Sequence, residues 1–203
     1  VTLGAFHSGE FDGLLSRFPG IKLLYPVTPQ ETFEALVAAF YDPNPCAVLE
    51  HKLLYTRSKG DVDFNSDLQS VWSPRRHREG DELTVVAFGA MVQVAVEAAQ
   101  QCGRSADIWN PFVLNPVRAD EIVRSAERTG HVIVVQESGA GAGLADRFVS
   151  LLSRSAFEAL KKPPVVVSAP DTPVPFAPEL ESHYRPSVDR VCAAMARILG
   201  DRA

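Results

Sequence analysis

The sequence lacks long hydrophobic runs, so it offers no segment of the ~20 consecutive apolar residues that cross a bilayer as a helix. Its first residues also lack the basic, apolar and small-residue segments of a signal peptide. Only three cysteines are present, Cys46, Cys102 and Cys192. Their wide separation, odd number and lack of CxxC spacing argue against a disulfide framework or a zinc site and favour small core residues. We therefore expect a cytoplasmic globular protein.

An excess of positive charge is also missing. The formal net charge of the 203 residues is −5 at pH 7, which gives no general attraction to nucleic acid or to anionic lipid. We therefore expect neither nucleic acid nor a membrane as a partner. The one basic run, residues 75–78, is followed at once by Glu79, Asp81 and Glu82, and we interpret it as a solvated linker.

The first quarter of the chain alternates strand and helix patterns. Residues 1–6 form an apolar run without an initiator methionine, which favours an internal strand in a chain that begins further upstream. A short helix is predicted over residues 11–18 and a strand over residues 21–25. A buried strand is predicted over residues 46–49.

The helix between these two strands has a clear beginning. Thr28 is a candidate N-cap, Pro29 suits the first helical position, and Glu31 completes a capping box. The residues predicted to form its buried stripe are Phe33, Leu36, Val37 and Phe40. The proline-containing turn at residues 42–45 ends this helix.

The rest of the chain repeats the alternation after an irregular segment. Residues 56–82 show no sustained periodicity, which is typical of an interdomain linker. Strands are then predicted at 83–88, 107–109, 131–136 and 165–168, and helices from 91, at 120–129, at 143–160 and at 187–199. This order predicts an α/β fold with a mainly parallel sheet and helices on both faces.

Three motifs carry a resemblance to a known family. They are the block from Asp42 to Tyr55, the pair His7-Ser8, and the loop from Asp171 to Pro175. Together they resemble the beta subunit of the thiamine-diphosphate-dependent 2-oxo acid dehydrogenases. The resemblance begins partway through that family's first domain. It implies the C-terminal part of a thiamine pyrimidine-binding domain at 1–65, a linker at 66–82, and a transketolase C-terminal-like domain at 83–203.

The resemblance also implies a function and partners. Such enzymes decarboxylate a 2-oxo acid oxidatively and transfer the acyl group to lipoamide, using thiamine diphosphate with magnesium. The implied partners are an alpha subunit, a second beta subunit in a heterotetramer, and the lipoyl acyltransferase core. We expect no cofactor bound to this chain alone. Two alternatives stay open, a non-catalytic assembly module of such a complex and the C-terminal portion of another transketolase-family thiamine enzyme.

His7 is the candidate catalytic residue. An apolar strand before it and a helix after it would place the imidazole at a strand-to-helix turn, where open sheets display functional groups. An ordinary histidine that satisfies local backbone groups is the alternative. The resemblance implies that His7 lines the thiamine pocket and takes part in acyl transfer to the lipoyl arm.

The turn at Asp42 is the candidate metal site. Asp42 and Asn44 flank a proline at a helix C-terminus, where carbonyls and side-chain oxygens can gather around a cation, although a plain turn explains the same residues. The resemblance implies a structural potassium ion bound by Asp42, Asn44 and the carbonyls of Ala39 and Phe40.

Other motifs are assigned no chemistry. The glycine-rich run at 139–143 has neither a Walker lysine nor a dinucleotide spacing, and we assign it to packing. The triplet Glu50, His51 and Lys52 leaves a strand and is a mark of the resemblance only. The proline-rich loop at 171–178 presents Phe176 and suits a contact surface or an ordinary ordered loop.

Overall fold

The computed structural model describes residues 4–141 and 143–200. Its strands are β1 (Lys22–Leu24), β2 (Cys46–Val48), β3 (Arg75–Arg78), β4 (Leu83–Ala87), β5 (Ala106–Asn110), β6 (Val113–Asn115), β7 (Val132–Gly139) and β8 (Val165–Ala169). Its α-helices are α1 (Gly4–His7), α2 (Asp12–Leu15), α3 (Pro29–Tyr41), α4 (Leu54–Arg57), α5 (Met91–Gln101), α6 (Asp120–Thr129), α7 (Leu144–Ser155), α8 (Pro178–Tyr184) and α9 (Val188–Leu199). Short 3-10 helices lie at Leu68–Trp72 and Phe157–Ala159.

The larger sheet has five strands in the order β3-β5-β4-β7-β8. Four of them are parallel, and only the edge strand β3 runs antiparallel to its neighbour β5. Helices α5 and α9 pack on one face, and α6 and α7 pack on the other. The predicted α/β fold, with a mainly parallel sheet covered on both faces, is confirmed.

Residue type explains this arrangement. All five residues of β4 and of β5 are buried, as expected for strands covered on both faces. The N-terminus of α9 is capped by the Ser187 side chain, which accepts a hydrogen bond from the backbone N–H of Arg190 at 3.2 Å. Its C-terminus is followed by Gly200, whose φ of 87° ends the helix in a left-handed conformation.

The smaller sheet joins the first part of the chain to a strand from its middle. Its order is β2-β1-β6, with β1 parallel to β2 and antiparallel to β6. Strand β6 follows β5 of the larger sheet, so the N-terminal part of the fold is completed by a later segment. Leu23 of β1 packs in one core with Trp109 of β5, while Leu24 packs in another core with Phe112.

A buried asparagine fixes this junction. The Asn110 side chain donates a hydrogen bond to the Tyr25 carbonyl at 2.9 Å and accepts one from the Phe112 N–H at 3.0 Å. Phe112 has a φ of 62°, which is rare for a residue with a side chain. The two bonds from Asn110 hold this sharp turn against the end of β1.

Helix α3 begins as predicted but buries a different face. The Thr28 side chain accepts a hydrogen bond from the Glu31 N–H at 3.2 Å. The predicted apolar stripe is wrong, because Leu36 is 49% exposed and Phe40 is 82% exposed, whereas Glu31 and Glu34 are buried. Both carboxylates point toward β3.

The basic run is therefore corrected from a solvated linker to a strand. Arg75 of β3 donates a hydrogen bond to Glu34 at 2.8 Å, and His77 Nε2 lies 3.0 Å from a Glu31 carboxylate oxygen. Arg75 and His77 allow the acidic side of α3 to face inward, because a buried carboxylate requires a partner. The proposed boundaries at 65 and 83 stay predictions, although β3 lies within the predicted linker.

Three local predictions near the N-terminus also require correction. Residues 4–6 belong to helix α1 and not to a strand, and residues 1–3 lie outside the described part of the chain. The helix predicted at 11–18 is the single turn α2. Strand β2 is half-buried at a sheet edge, because β1 covers only one side of it.

Within residues 4–141 and 143–200, none of the helices is long and apolar enough to cross a membrane.

We expect Asn110→Ala to lower the free energy of unfolding by about 3 kcal/mol, because it leaves a buried N–H and a buried carbonyl without partners. Urea unfolding measures the change. The matched control is Asn65→Ala, at an exposed position, which should change stability by less than about 0.5 kcal/mol. An equally small loss in both variants would contradict the role given to Asn110.

Candidate functional site

A cavity of about 400 Å³ lies where the two sheets meet. Its walls come from the loop between α1 and α2, the segment that follows β2, the end of β7, and the region between α8 and α9. The ends of β2 and β7 that face it are carboxyl ends, where ligands commonly bind in parallel α/β sheets.

His7 lies in the lining of this cavity. It is the last residue of α1 and is exposed, with the ring of Phe6 packed against it edge-on at 5.6 Å between centroids. The predicted strand-to-helix turn is wrong, because His7 is the last residue of the short helix α1 and the short helix α2 follows it. Its catalytic role stays a prediction.

Three side chains meet at the inner wall of the cavity. His51 Nε2 lies 2.8 Å from Glu137 Oε2 and 3.8 Å from Glu10 Oε1. Glu10 comes from the loop before α2, His51 follows β2, and Glu137 lies near the end of β7. We call these three residues the acid-histidine cluster.

Hydrogen bonds indicate where the His51 proton lies. The Leu53 N–H donates to His51 Nδ1 at 3.3 Å, so Nδ1 accepts and Nε2 carries the proton of the neutral ring. Nε2 then donates to Glu137. Burial alone would lower the pKa of His51, but the hydrogen bond and charge of Glu137, together with the charge of Glu10, hold it above its usual value.

The pKa of the Glu10 carboxyl group lies above its usual value. Burial, followed by the negative charges of Asp12 and Glu137, raises the pKa of the Glu10 carboxyl to about 7. The Tyr25 hydroxyl donates to Glu10 at 3.4 Å and opposes this shift only weakly. Near neutral pH the cavity therefore contains a carboxyl group that can either give or take a proton.

Arg185 balances part of the negative charge. Its guanidinium lies 3.9 Å from Glu137 and 3.7 Å from Glu181. Glu181 is buried and lines the same cavity, and one of its carboxylate oxygens has no hydrogen-bond partner among the described residues. The cavity is thus a site of mixed charge, because Lys52 and Arg57 line it as well as these carboxyl groups.

The comparisons with known proteins identify the fold. The family model for the transketolase C-terminal domain matches residues 74–191, more than half of the chain. The chain belongs to the transketolase C-terminal domain family. Strands β3, β4, β5, β7 and β8 with helices α5 to α8 lie inside the matched segment.

Similarity to known proteins extends beyond this domain. The acetoin:2,6-dichlorophenolindophenol oxidoreductase subunit beta of Bacillus subtilis is 33% identical over 98% of this chain and 59% of that protein. The pyruvate dehydrogenase E1 component subunit beta of Bacillus subtilis is 33% identical over 95% of this chain and 60% of that protein. The resemblance inferred from the motifs is confirmed, and the chain spans about three fifths of these relatives.

A solved structure shows the same fold. The inactive beta4 tetramer of a split-gene transketolase superposes with a TM-score of 0.72 over 98% of this chain and 64% of that one, at 23% identity. The fold of this chain, including the part before residue 74, is therefore shared with that structure.

Sequence reasoning missed most of the acid-histidine cluster. No chemistry is predicted for His51, and no role is predicted for Glu10, Glu137 or Arg185. One signal was available, because His51 and Glu137 each follow a predicted strand, and functional groups commonly lie at the carboxyl ends of strands in open α/β folds. Nothing in the local sequence placed Glu10 beside them.

The acid-histidine cluster does not fit a metal ion as it is arranged. Its three ligand atoms lie within 4.8 Å of one another, close enough to reach one ion. A metal would have to bind His51 at Nε2, because Leu53 donates to Nδ1, and Nε2 is the atom that carries the proton. The cluster therefore suits proton sharing better than metal binding.

The cavity does not fit a whole thiamine diphosphate either. The diphosphate is an anion, and the lining places the five carboxyl groups of Glu10, Asp12, Glu50, Glu137 and Glu181 beside the three basic side chains of Lys52, Arg57 and Arg185. Within the described residues, the cluster is the one group of three candidate ligands close enough for a metal ion, and its protonated imidazole nitrogen does not suit magnesium. The absence of binding by this chain alone stays a prediction.

At the turn that contains Asp42, the cation that pairs with the carboxylate is the ammonium group of Lys22 from β1. The Lys22 ammonium forms a short ion pair with Asp42 and lies 4.4 Å from the centre of the Trp72 ring. The other Asp42 oxygen accepts from the backbone and side-chain N–H groups of Asn44, both at 2.9 Å. The Lys22 bond and the two Asn44 bonds lower the pKa of Asp42 to about 2. The potassium site at Ala39, Phe40, Asp42 and Asn44 stays a prediction.

The glycine-rich run packs around a glutamine. The Gln136 side chain donates to the Gly139 carbonyl at 2.7 Å and accepts from the Ala145 N–H at 2.7 Å. A Cβ at Gly143 would lie 2.7 Å from the Gln136 side chain, so glycine is needed for this close approach. The assignment to packing agrees with these contacts.

The proline-rich loop folds back onto α1. The Phe176 ring lies so close to Gly4 that a Cβ there would clash with it, and Phe176 is still 64% exposed. Its interpretation as a contact surface stays a prediction.

We expect Glu10→Gln to change the pH dependence of stability. The wild-type carboxyl is protonated in the folded state up to about pH 7 but loses its proton from about pH 4.5 when unfolded. Its contribution therefore weakens as pH rises through this window, and glutamine removes that loss. Relative to wild type, Glu10→Gln should gain about 2 kcal/mol between pH 5 and pH 8 by urea unfolding. Parallel curves for the two proteins would contradict the raised pKa, and the exposed-site variant Glu179→Gln is the control.

The potassium prediction can be tested through Lys22. Potassium chloride should raise the melting temperature above that in tetramethylammonium chloride, and the difference should be larger in Lys22→Met, where no ammonium competes for Asp42. Methionine keeps an apolar stem near Trp72. Equal melting temperatures in both salts for both proteins would remove the site.

Proposed function

We propose that the chain is part of the beta subunit of a 2-oxo acid dehydrogenase decarboxylating component. Such a component decarboxylates a 2-oxo acid oxidatively and transfers the acyl group to lipoamide. The observation that carries the proposal is that His7 lines the same cavity as Glu137 of the transketolase C-terminal domain. Similarity to acetoin- and pyruvate-type beta subunits over nearly the whole chain supports it.

In this proposal the chain supplies one wall of a shared active site. Thiamine diphosphate and magnesium supply the decarboxylation chemistry in the complete enzyme, and an alpha subunit together with beta-subunit residues outside this chain holds them. His7 is exposed and lines the cavity, where an imidazole can donate a proton to a bound group or accept one from it. The further proposed partners are a second beta subunit and the lipoyl acyltransferase core, in a cytoplasmic heterotetramer.

The acid-histidine cluster lines the same cavity as His7. It would keep the cavity wall polar, and the charge of that wall would change with the protonation of Glu10. Glu10 carries a proton at the pH where Glu137 is paired with His51. A proton gained or lost by a substrate group in the cavity can therefore be matched by Glu10 without leaving a new uncompensated charge. This arrangement suits acid-base chemistry and does not select among pyruvate, branched-chain 2-oxo acids and acetoin.

The second candidate is an assembly module without turnover. It is favoured by the exposed apolar side of α3, where Leu36, Phe40 and Tyr41 face outward, and by Phe64, which packs edge-on against Phe33 at 5.1 Å and is also exposed. Clustered exposed aromatics of this kind mark interaction surfaces. Decarboxylation by the chain together with an alpha subunit would contradict this candidate.

The test reconstitutes an alpha subunit with a beta subunit that contains this whole chain and then applies two assays. One measures decarboxylation with 2,6-dichlorophenolindophenol as electron acceptor, and the other measures acyl transfer to a lipoyl domain. We expect His7→Ala to reduce acyl transfer about 100-fold, as for loss of a general acid-base group, and to reduce dye-linked decarboxylation much less.

The matched control is His183→Ala, at an exposed position on α8 away from the cavity lining. It should leave both assays unchanged. Equal loss of both activities in His7→Ala would contradict a role in acyl transfer. Complex formation without any turnover would favour the assembly module.

A further inference from the structure

Two cysteines that are 90 positions apart in the sequence meet in the fold. Cys102 is the C-cap residue of α5, and Cys192 lies in the first half of α9. Both thiols donate a hydrogen bond to the same oxygen, the Ala98 carbonyl, at 2.8 Å for Cys102 and 3.2 Å for Cys192. Because both thiols reach one carbonyl oxygen, the two sulfur atoms lie close to each other.

The scaffold around the pair is rigid. Helices α5 and α9 pack side by side on one face of the larger sheet and contribute to one core. Met195 is fully buried, and its sulfur lies 3.7 Å from Cys102 Sγ. The packing of α5 against α9 therefore holds the two thiols next to each other.

The pair is open at its rim. Cys102 and Cys192 are both half-buried, while the flanking residues Gln101, Gly103 and Ala193 are exposed. A small oxidant can reach the sulfur atoms from this side. The third cysteine, Cys46, lies in the smaller sheet, and its thiol contacts the Asn44 carbonyl at 3.5 Å.

We propose that Cys102 and Cys192 form a redox-convertible pair that closes to an intrachain disulfide in the presence of a peroxide. One of the two thiols is oxidised first, forming a sulfenic acid and releasing one water. The sulfur of the other cysteine then attacks that sulfur, the S–S bond forms, and a second water leaves. The two thiols lose two electrons and two protons, and these reduce one hydrogen peroxide to two waters.

The local environment sets the rate. Burial, followed by the interaction with the Cys102 thiol, raises the pKa of the Cys192 thiol to about 11. Cys192 therefore stays protonated at neutral pH, and the thiolate is the form that attacks. Oxidation should be slow at pH 7 and should accelerate with increasing pH.

The disulfide would tie the C-terminal helix to the helix that follows β4. The closed loop contains most of the transketolase C-terminal domain, including β5 to β8. Since a cross-link over a long loop restricts the unfolded chain, the oxidised form should be the more stable one. The pair is thus a modification site whose chemistry is independent of the cavity.

The experiment treats the folded wild-type chain with hydrogen peroxide, blocks free thiols with N-ethylmaleimide, and maps tryptic peptides without reduction. We expect peptide 79–104 joined to peptide 191–197, with the mass of two hydrogens lost, and peptide 23–52 carrying an alkylated Cys46. The melting temperature should rise by about 5 °C or more and return after treatment with dithiothreitol.

Variants separate this link from other outcomes. Cys46→Ser should form the same linked peptides, and Cys192→Ala should form none. The wild-type peptide map does not depend on how well a variant folds. Alkylation of both Cys102 and Cys192 after oxidation, a link through Cys46, or a link that forms only in urea would overturn the proposal.

Discussion

The structure depends on the burial of β1 between strands and cores that come from distant parts of the chain. Leu23 packs toward the larger sheet and Leu24 toward α3 and Phe112, so both faces of this short strand are covered. Asn110 then ties the end of β1 to the turn that leads into β6. Because a three-residue strand has little stability of its own, these contacts make the N-terminal part of the fold depend on the transketolase C-terminal domain.

This junction also creates the cavity and its electrostatics. It brings the segment after β2 against the end of β7, so that His51 meets Glu137, and it covers both with the loop that carries Glu10. Covering the three groups removes water, and the loss of water raises the pKa of Glu10 toward neutrality. The proton-sharing property therefore follows from the packing of β1.

Sequence reasoning predicted the elements whose patterns are local. Buried strands such as β4 and β7 and helix α9 follow from residue periodicity, and the start of α3 follows from the capping residue Thr28. The failures involve partners that are distant in sequence. The inward acidic face of α3 requires the basic side chains of β3, and the cysteine pair requires α5 and α9 to be adjacent. The cluster combines three separate segments. Strand β2, which precedes His51, and strand β7, which contains Glu137, belong to different sheets, so residue patterns alone could not place the two side chains together.

The most direct test of this account is native-state hydrogen exchange across both sheets. If β1 is stabilised by the same core as the larger sheet, the amides of β1 should exchange with the same free energy as those of β4 and β5 and should lose protection together with them in low urea. Exchange of β1 through a separate, less stable opening, while β4 and β5 remain protected, would show that the smaller sheet folds independently and would contradict the account.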